Sequence, residues 1–226
     1  IEYLSEAISI LYTAFDGVGE VHSVNVNVGA LESHEYAALL ESYVGTVLIY
    51  QDTYHEASYR AAHISGPKSD YYARLNAADV AFQAGVPDVG GGLMLGLGPW
   101  QYDLLGIVQH QAHLLRAYDT GCRTLSLHRM RCAPGSNMQT PYPVSDADYL
   151  RCVAIARLAV PYAGIILTTK EPAGLWRDGC SAGASQLLTG SVANPYDSWI
   201  DNPEHKVAFP IGEDCHVDEV VRFLLE

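Results

Sequence analysis

Six short apolar runs recur along this sequence, and most of them end in polar side chains. Helix-like segments separate the runs, and this alternation is typical of parallel strands joined by right-handed crossovers. Polar residues at the C-terminal ends of such strands are where a parallel α/β barrel carries its active site. The predicted strands are Val21–Val28, Val44–Tyr50, Val89–Leu95, Thr124–Met130, Gly164–Leu167 and Gln186–Gly190.

The segments between the strands have helical periodicity and recognisable ends. Ser33 and Ser145 are predicted N-caps, Gly85 is placed to end a helix, and Pro161 stops another. A barrel normally begins on a strand, so an opening helix predicts a barrel that lacks its first strands. The predicted helices are Ile1–Phe15, Ala30–Tyr43, Tyr71–Ala84, Gln101–Tyr118, Asp146–Ala159, Pro172–Gly179 and Val217–Leu225.

The bulk composition limits the class of protein. At 226 residues and 49% hydrophobic content, the chain can bury one substantial core. A net charge of −13 repels nucleic-acid backbones and anionic lipid, so we expect no nucleic-acid partner, and no apolar run is long enough for a membrane span. The 5 cysteines form no C-x-x-C pair. This pattern indicates thiols in a reducing compartment, the cytoplasm or a reducing organelle.

One polar segment follows the second predicted strand and carries the densest group of functional side chains. It runs through 51–55 and 63–72, and it includes Gly66, Pro67, Lys68 and Ser69 before a predicted helix. Backbone amides and a lysine at such a turn can bind a carboxylate or a phosphate. A capped loop without function explains the same residues equally well.

Two later strands end in alternating polar residues. Arg129 and Arg131 point to one side of their strand, which suits an anionic ligand or salt bridges to nearby carboxylates. Thr168 and Lys170 repeat this geometry and can hold an amino-acid carboxylate.

A pair of histidines stands apart from these strand ends. His110 and His113 share one helix face, where a metal ligand or a hydrogen-bonded structural pair are the alternatives.

At these residues the sequence resembles the aromatic-amino-acid lyases of the radical S-adenosylmethionine superfamily, the family of HydG and ThiH, and the HydG branch in particular. The resemblance covers about Val21–Gly190. The stretches that carry it are 24–28 (VNVNV), 51–55 (QDTYH), 65–71 (SGPKSDY), 88–90 (DVG), 96–97 (GL), 110–114 (HQAHL) and 159–171 (AVPYAGIILTTKE).

The resemblance implies an α/β fold, the radical-SAM TIM-type (βα) barrel, with about six of its eight units present and the first two missing. It divides the chain into a partial barrel over 1–193 and an extension over 194–226 that packs on the barrel. It also implies a tyrosine lyase that cleaves the Cα–Cβ bond to give p-cresol and dehydroglycine, then CO and cyanide for the [FeFe]-hydrogenase H-cluster. The implied partners are the amino-acid substrate, tyrosine, and hydrogenase maturation proteins.

The implied cofactors are S-adenosylmethionine, a [4Fe-4S] cluster, and a second iron-sulfur cluster with an extra iron. By motif, the residues that the resemblance implies for binding S-adenosylmethionine are Asn27, Gln51, Lys68 and Arg74. The amino acid takes Thr168, Lys170, Arg129 and Arg131, and the extra iron takes His113.

Several positions depart from the family pattern. The Cys-x-x-x-Cys-x-x-Cys motif that holds the cluster occurs nowhere in the sequence, so its ligands lie outside this chain. Lys170 stands where the family has arginine, Asp52 where it has glutamate, and His128 where it has proline. One alternative is a non-catalytic or divergent barrel that binds a small amino acid, an adenosine compound or a partner protein. The other is an ordinary aldolase-like or phosphate-binding barrel, in which Lys170 is the candidate Schiff-base lysine.

Overall fold

In the computed structural model, the strands form one parallel sheet with helices against one of its faces. The structure describes residues 1–14, 17, 19–131, 140–169, 171–189 and 217–225. Its 6 strands lie side by side in chain order, and the sheet curves into half of a barrel. They are β1 (Val26–Asn27), β2 (Val47–Asp52), β3 (Val89–Leu95), β4 (Thr124–Arg129), β5 (Gly164–Thr168) and β6 (Gln186–Leu188).

The helices follow the strands as crossover connections, which confirms the α/β class. They are α1 (Glu2–Thr13), α2 (Ser33–Glu41), α3 (Glu56–Ala62), α4 (Tyr71–Leu75), α5 (Ala77–Gln83), α6 (Trp100–Tyr118), α7 (Asp146–Ala159), α8 (Ala173–Ala182) and α9 (Val217–Leu225).

The hydrophobic core lies between the sheet and this helical layer. Alternate strand residues such as Val47, Ile49, Leu125 and Ile165 are almost fully buried there. Their neighbours along each strand point to the opposite face, because successive side chains of a strand alternate. That second face lines the inside of the half-barrel, and we call it the lumen face.

Some predicted element boundaries were wrong, each for a local reason. The first strand is shorter than predicted because, before Val26, the amide of Thr46 donates to the side chain of Asn25 (2.9 Å). The predicted N-cap Ser33 is instead the first helical residue, and the amide of Glu32 donates to the Glu35 carboxylate at 2.8 Å. Hydrogen bonds between side chains and the backbone therefore mark both boundaries, and at α2 they form a reciprocal capping box of Glu32 and Glu35.

Two further differences concern the region after β2. The helix predicted over Tyr71–Ala84 is two helices, which meet at Asn76 with backbone angles of φ −87° and ψ −2°. The helix α3 was not predicted, although the pair Glu56 and Arg60, four residues apart and 2.8 Å from each other, was visible in the sequence. The last predicted strand extended to Gly190, which lies outside the described residues.

No helix in the described part of the chain is both long and apolar enough to cross a membrane.

Candidate functional site

The C-terminal end of β2 carries a buried acidic centre. The strand is irregular between Tyr50 and Asp52, and Asp52 adopts a left-handed conformation with φ +66°. Its Oδ2 atom accepts a hydrogen bond from Lys68 Nζ at 2.9 Å and lies 3.3 Å from His63 Nε2. The Lys68 side chain is half exposed, so a ligand can approach it while it stays paired with Asp52.

Arg74 joins the ends of two strands. It is only 3% exposed, and its Nε donates to Tyr50 O (2.6 Å) and its NH1 to Val28 O (3.1 Å). These carbonyls belong to the end of β2 and to the residue just after β1, so the guanidinium fixes the spacing of the rim. Two of its nitrogens are therefore committed to the backbone.

Gln51 lies on the helix side of the sheet. It is buried and lines a cavity of about 10 Å³ together with Ala78, His110 and Gln111 of α5 and α6. Its Oε1 atom is buried without a hydrogen-bond partner among the described residues. A cavity of this size suits at most one water molecule. The structure therefore separates Gln51 from the residues that face the lumen.

Asn27 lies on the lumen face at the other end of this rim. Its Cα is paired with Leu48, and its side chain is exposed. Asn27, Lys68 and Arg74 thus share the C-terminal edge of β1 and β2.

The end of β4 holds a compact ion cluster. Glu171, which is 1% exposed, accepts hydrogen bonds from Arg129 Nε (3.0 Å), from Arg129 NH2 and from Arg131 NH2 (2.7 Å). Arg129 NH1 also donates to Val144 O (3.1 Å) and Asp146 Oδ1 (2.7 Å). The hydrogen bond to Glu171 raises the pKa of Arg129 above its ordinary value.

The two arginines of this cluster differ in how many guanidinium nitrogens remain available to a ligand. Each nitrogen of the Arg129 guanidinium already donates to a protein group, whereas Arg131 is half exposed and donates to Glu171 through NH2. Thr168 is buried at the end of β5, and its neighbour Thr169 donates from Oγ1 to Leu188 O at 3.2 Å. Lys170 lies outside the described residues.

His113 is distant from these strand ends. It lies in the second half of α6, which runs back from the end of β3 toward the start of β4, and its Nε2 is 2.7 Å from Asp79 Oδ1 of α5. Asp79 also accepts from the Tyr118 hydroxyl at 2.9 Å. The described residues contain no group of three or more histidine, cysteine or acidic side chains that could hold a metal ion.

The described cysteines are poorly suited to bind iron. Burial raises the pKa of Cys122 to about 11, that of Cys152 to about 12 and that of the partly buried Cys180 above its ordinary value, which disfavours the thiolate that a cluster needs. Cys132 and Cys215 lie outside the described residues.

The lumen face carries a polar group that was not predicted from the sequence. Tyr50 Oη lies 3.0 Å from Ser126 Oγ, and the ring of Tyr50 lies 5.9 Å from that of His128. Burial raises the pKa of Tyr50 above its ordinary value. The signal was the alternation of polar and apolar residues over 124–128, a segment predicted only as part of an apolar strand.

Comparison with known proteins identifies relatives of this chain. The profile of the Biotin and Thiamin Synthesis associated domain matches residues 126–226. The 2-iminoacetate synthase of Escherichia coli (strain K12) is 29% identical over 150 residues, which are 66% of this chain and 40% of that protein.

Two solved structures extend the likeness to the fold. HydG, a maturase of the [FeFe]-hydrogenase, has a TM-score of 0.81 at 37% identity, over 84% of this chain and 42% of its own. HydG from Carboxydothermus hydrogenoformans has a TM-score of 0.85 at 30% identity, over 97% of this chain and 51% of its own. The chain thus spans about half the length of these relatives or less. Together these matches support a HydG- and ThiH-like member of the radical S-adenosylmethionine proteins.

Proposed function

We propose that this chain is the barrel segment of a HydG-like radical S-adenosylmethionine lyase that cleaves the Cα–Cβ bond of tyrosine. The products are p-cresol and dehydroglycine, and then CO and cyanide for the H-cluster, delivered to hydrogenase maturation proteins. The observation that carries the proposal is the half-barrel with polar groups at its strand ends, in a chain 37% identical to HydG.

The S-adenosylmethionine side of the site is the rim of β1 and β2. Asn27 on the lumen face and the half-exposed Lys68 ammonium would contact the cofactor, because both offer polar atoms beyond the protein. Arg74 and Gln51 would not contact the cofactor. Arg74 fixes the spacing of the strand ends, and Gln51 packs on the helix side of the sheet. Bound S-adenosylmethionine would supply a 5′-deoxyadenosyl radical to the substrate.

The [4Fe-4S] cluster does not fit the residues of this chain. The sequence has no Cys-x-x-x-Cys-x-x-Cys motif, and burial raises the pKa of Cys122 and of Cys152, which disfavours the thiolate. The cluster ligands therefore come from outside these 226 residues, and the described residues bind and orient the substrate.

The amino-acid side is the rim of β4 and β5. Thr168, Lys170 and Arg131 would hold the substrate carboxylate. Arg129 is a positioning residue, because Glu171, Asp146 and Val144 occupy its guanidinium. Glu171 thereby keeps Arg131 directed along the rim.

His113 is our candidate ligand for the extra iron of a second cluster. Nε2 of His113 lies 2.7 Å from Asp79 Oδ1, and a hydrogen bond donated from Nε2 to this carboxylate would leave Nδ1 as the nitrogen that faces a metal. We also propose that 194–226 is an extension that packs on the partial barrel of 1–193. In its favour, Glu219 of α9 accepts from Arg177 at 2.9 Å, and Phe223 meets Trp176 edge to face.

The experiment that tests the activity uses the complete protein that contains this chain, reconstituted anaerobically with iron and sulfide. We expect bound iron and sulfide, and p-cresol formed from tyrosine when S-adenosylmethionine and a reductant are added. An Arg131→Ala variant should raise the KM for tyrosine, whereas the surface change Arg151→Ala should not. A complete protein that binds no iron would disprove the lyase proposal.

A non-catalytic barrel that binds a small amino acid or an adenosine ligand is the second candidate. In favour of this candidate, the Arg129 guanidinium is fully engaged with protein groups. Such an ion cluster would stabilise the wall of a binding site without taking part in a reaction. This candidate predicts ligand binding without iron and without p-cresol, so the same experiment separates the two.

A further inference from the structure

A small cavity lies between the sheet and the helical layer, on the opposite side of β2 from the lumen face. It measures about 10 Å³, and the residues around it include Gln51, Tyr54, His110 and Gln111. Two of these residues have a side-chain atom that is buried without a hydrogen-bond partner among the described residues, namely Gln51 Oε1 and His110 Nε2. Buried polar atoms are nearly always satisfied by protein groups or by ordered water. Two such atoms at one cavity therefore indicate a bound molecule small enough for that space.

The side-chain amide of Gln51 has a defined orientation. Its Nε2 atom donates to Thr53 O at 3.4 Å. Because a backbone carbonyl oxygen can only accept a hydrogen bond, the amide nitrogen and not the amide oxygen faces Thr53. The atom that Gln51 has left for the cavity is therefore Oε1, which is a hydrogen-bond acceptor.

The tautomer of His110 follows from its contact with Tyr54. Tyr54 Oη lies 2.8 Å from His110 Nδ1, which is its one hydrogen-bond partner among the described residues. Burial raises the pKa of Tyr54 well above its ordinary value, which favours the protonated phenol, so the hydroxyl donates to Nδ1. Burial lowers the pKa of His110, which favours the neutral ring. A neutral imidazole that accepts at Nδ1 carries its proton on Nε2, so α6 offers the cavity a hydrogen-bond donor.

We propose that this cavity binds one water molecule as a permanent part of the structure, which accepts a hydrogen bond from His110 Nε2 and donates one to Gln51 Oε1. A water molecule both donates and accepts, so it is complementary to this pair of atoms. A cavity of about 10 Å³ is close to the smallest that admits a water molecule, and it is too small for a larger ligand. The order imposed on one water costs less free energy than two buried polar groups left unsatisfied.

The bound water joins the C-terminal end of β2 to α6. The start of α6 already holds the segment after β2, because Asp103 Oδ1 accepts from the Thr53 hydroxyl at 2.7 Å and from the Tyr54 amide at 2.8 Å. His110 lies about two turns further along the same helix. A water between His110 and Gln51 therefore adds a second connection, which reaches the strand itself.

High-resolution crystallography of the complete protein that contains this chain tests the site directly. We expect one ordered water between Gln51 Oε1 and His110 Nε2, at about 2.7 to 3.2 Å from each atom. Gln51→Leu removes the acceptor and places a methyl group near the cavity, so the water should be lost from that variant. A wild-type cavity without ordered density would overturn the proposal, and so would a water that remains in place in Gln51→Leu.

A double-mutant cycle tests the connection in solution. Gln51→Leu and His110→Phe should each lower the urea concentration at which half of the protein is unfolded. The double variant should lower it by less than the sum of the two losses, because either change alone breaks the bridge. The matched control combines Gln51→Leu with Arg151→Ala at an exposed residue, and these two effects should add. Additive losses for Gln51→Leu and His110→Phe would overturn the proposal.

Discussion

Glu171 is the residue on which the rim of β4 depends. It is buried and is the shared partner of Arg129 and Arg131, so its removal leaves the largely buried Arg129 guanidinium with only the exposed Asp146 as counter-charge. We expect Glu171→Gln to lower the free energy of unfolding by about 3 kcal/mol, the cost of breaking a buried ion pair. Urea unfolding measures this change. The exposed pair Arg151–Asp148 is the control, since Arg151→Ala should cost at most about 0.5 kcal/mol. Equal losses in the two variants would contradict the structural role of Glu171.

Asp103 provides a prediction about pH. It is fully buried in the first turn of α6, where its Oδ1 accepts from the Thr53 hydroxyl at 2.7 Å and from the Tyr54 amide at 2.8 Å. Burial raises the pKa of this carboxyl in the folded protein. Its contribution to stability is therefore complete below the unfolded-state pKa of about 4 and is lost as the pH rises through the folded-state pKa.

The matched variant for this prediction is Asp103→Asn, which cannot titrate. The free energy of unfolding of the wild-type protein, relative to this variant, should fall as the pH rises from about 4 to about 7. Chemical unfolding across this pH range measures the difference. A difference that rises with pH would mean that hydrogen bonding to Thr53 and Tyr54 outweighs burial.

Among the strands, β3 depends most on its glycines. Gly92→Ala places a methyl group within 2.6 Å of Tyr50 and forces that ring off the sheet. We expect the free energy of unfolding to fall by about 1 to 3 kcal/mol, as for other overpacked sites. Thermal and urea unfolding test this. Gly174→Ala on α8 is the control, because its added Cβ meets nothing within 4 Å and the change should be neutral or slightly stabilising.

The strands were predictable from the sequence because each is a short apolar run between turn residues. Val89–Leu95 was predicted to the residue. The face of the sheet on which each side chain lies was harder to predict. Gln51 follows an apolar run, and only the packed helices show that it points away from the lumen. Helix α3 was missed because it falls between the two polar stretches, 51–55 and 63–72, on which the prediction concentrated, although Glu56 and Arg60 have helical spacing. Periodicity locates an element but does not say which neighbours will cover it.

In the candidate site, the strand-end arginines and Thr168 could be placed at the rim from sequence. Their partners could not, because Glu171 follows β5 and meets Arg129 only after the chain has folded. The contact of Tyr50 with Ser126 likewise joins residues 76 positions apart, across a glycine on a third strand. Such long-range pairings are set by the register of the sheet.

For the molecule in its entirety, the decisive feature is that β1 is an edge strand among the described residues. The amides of Val26 and Val28 donate to Thr46 O and Leu48 O of the β2 side, so the amide of Asn27 between them faces outward. An open edge of this kind pairs readily with another chain. We expect the 226-residue chain by itself to self-associate as its concentration rises, which light scattering after gel filtration measures.

Asn27→Pro removes that outward amide and should reduce the association, since proline is tolerated at a strand edge. Asn27→Ala keeps the amide and serves as the control. A chain that stays monomeric at all concentrations, with or without the proline, would show that the edge is covered.

The hydrogen bonds of Arg74 make the spacing of β1 and β2 independent of the side chains at the rim. Because one guanidinium ties the carbonyls of Val28 and Tyr50 together, the spacing of β1 and β2 does not depend on which side chains stand at the opening. The exposed side chain of Asn27 can therefore be exchanged without a change in that spacing. Substitutions at this rim can therefore change its chemistry while the distance between β1 and β2 is kept.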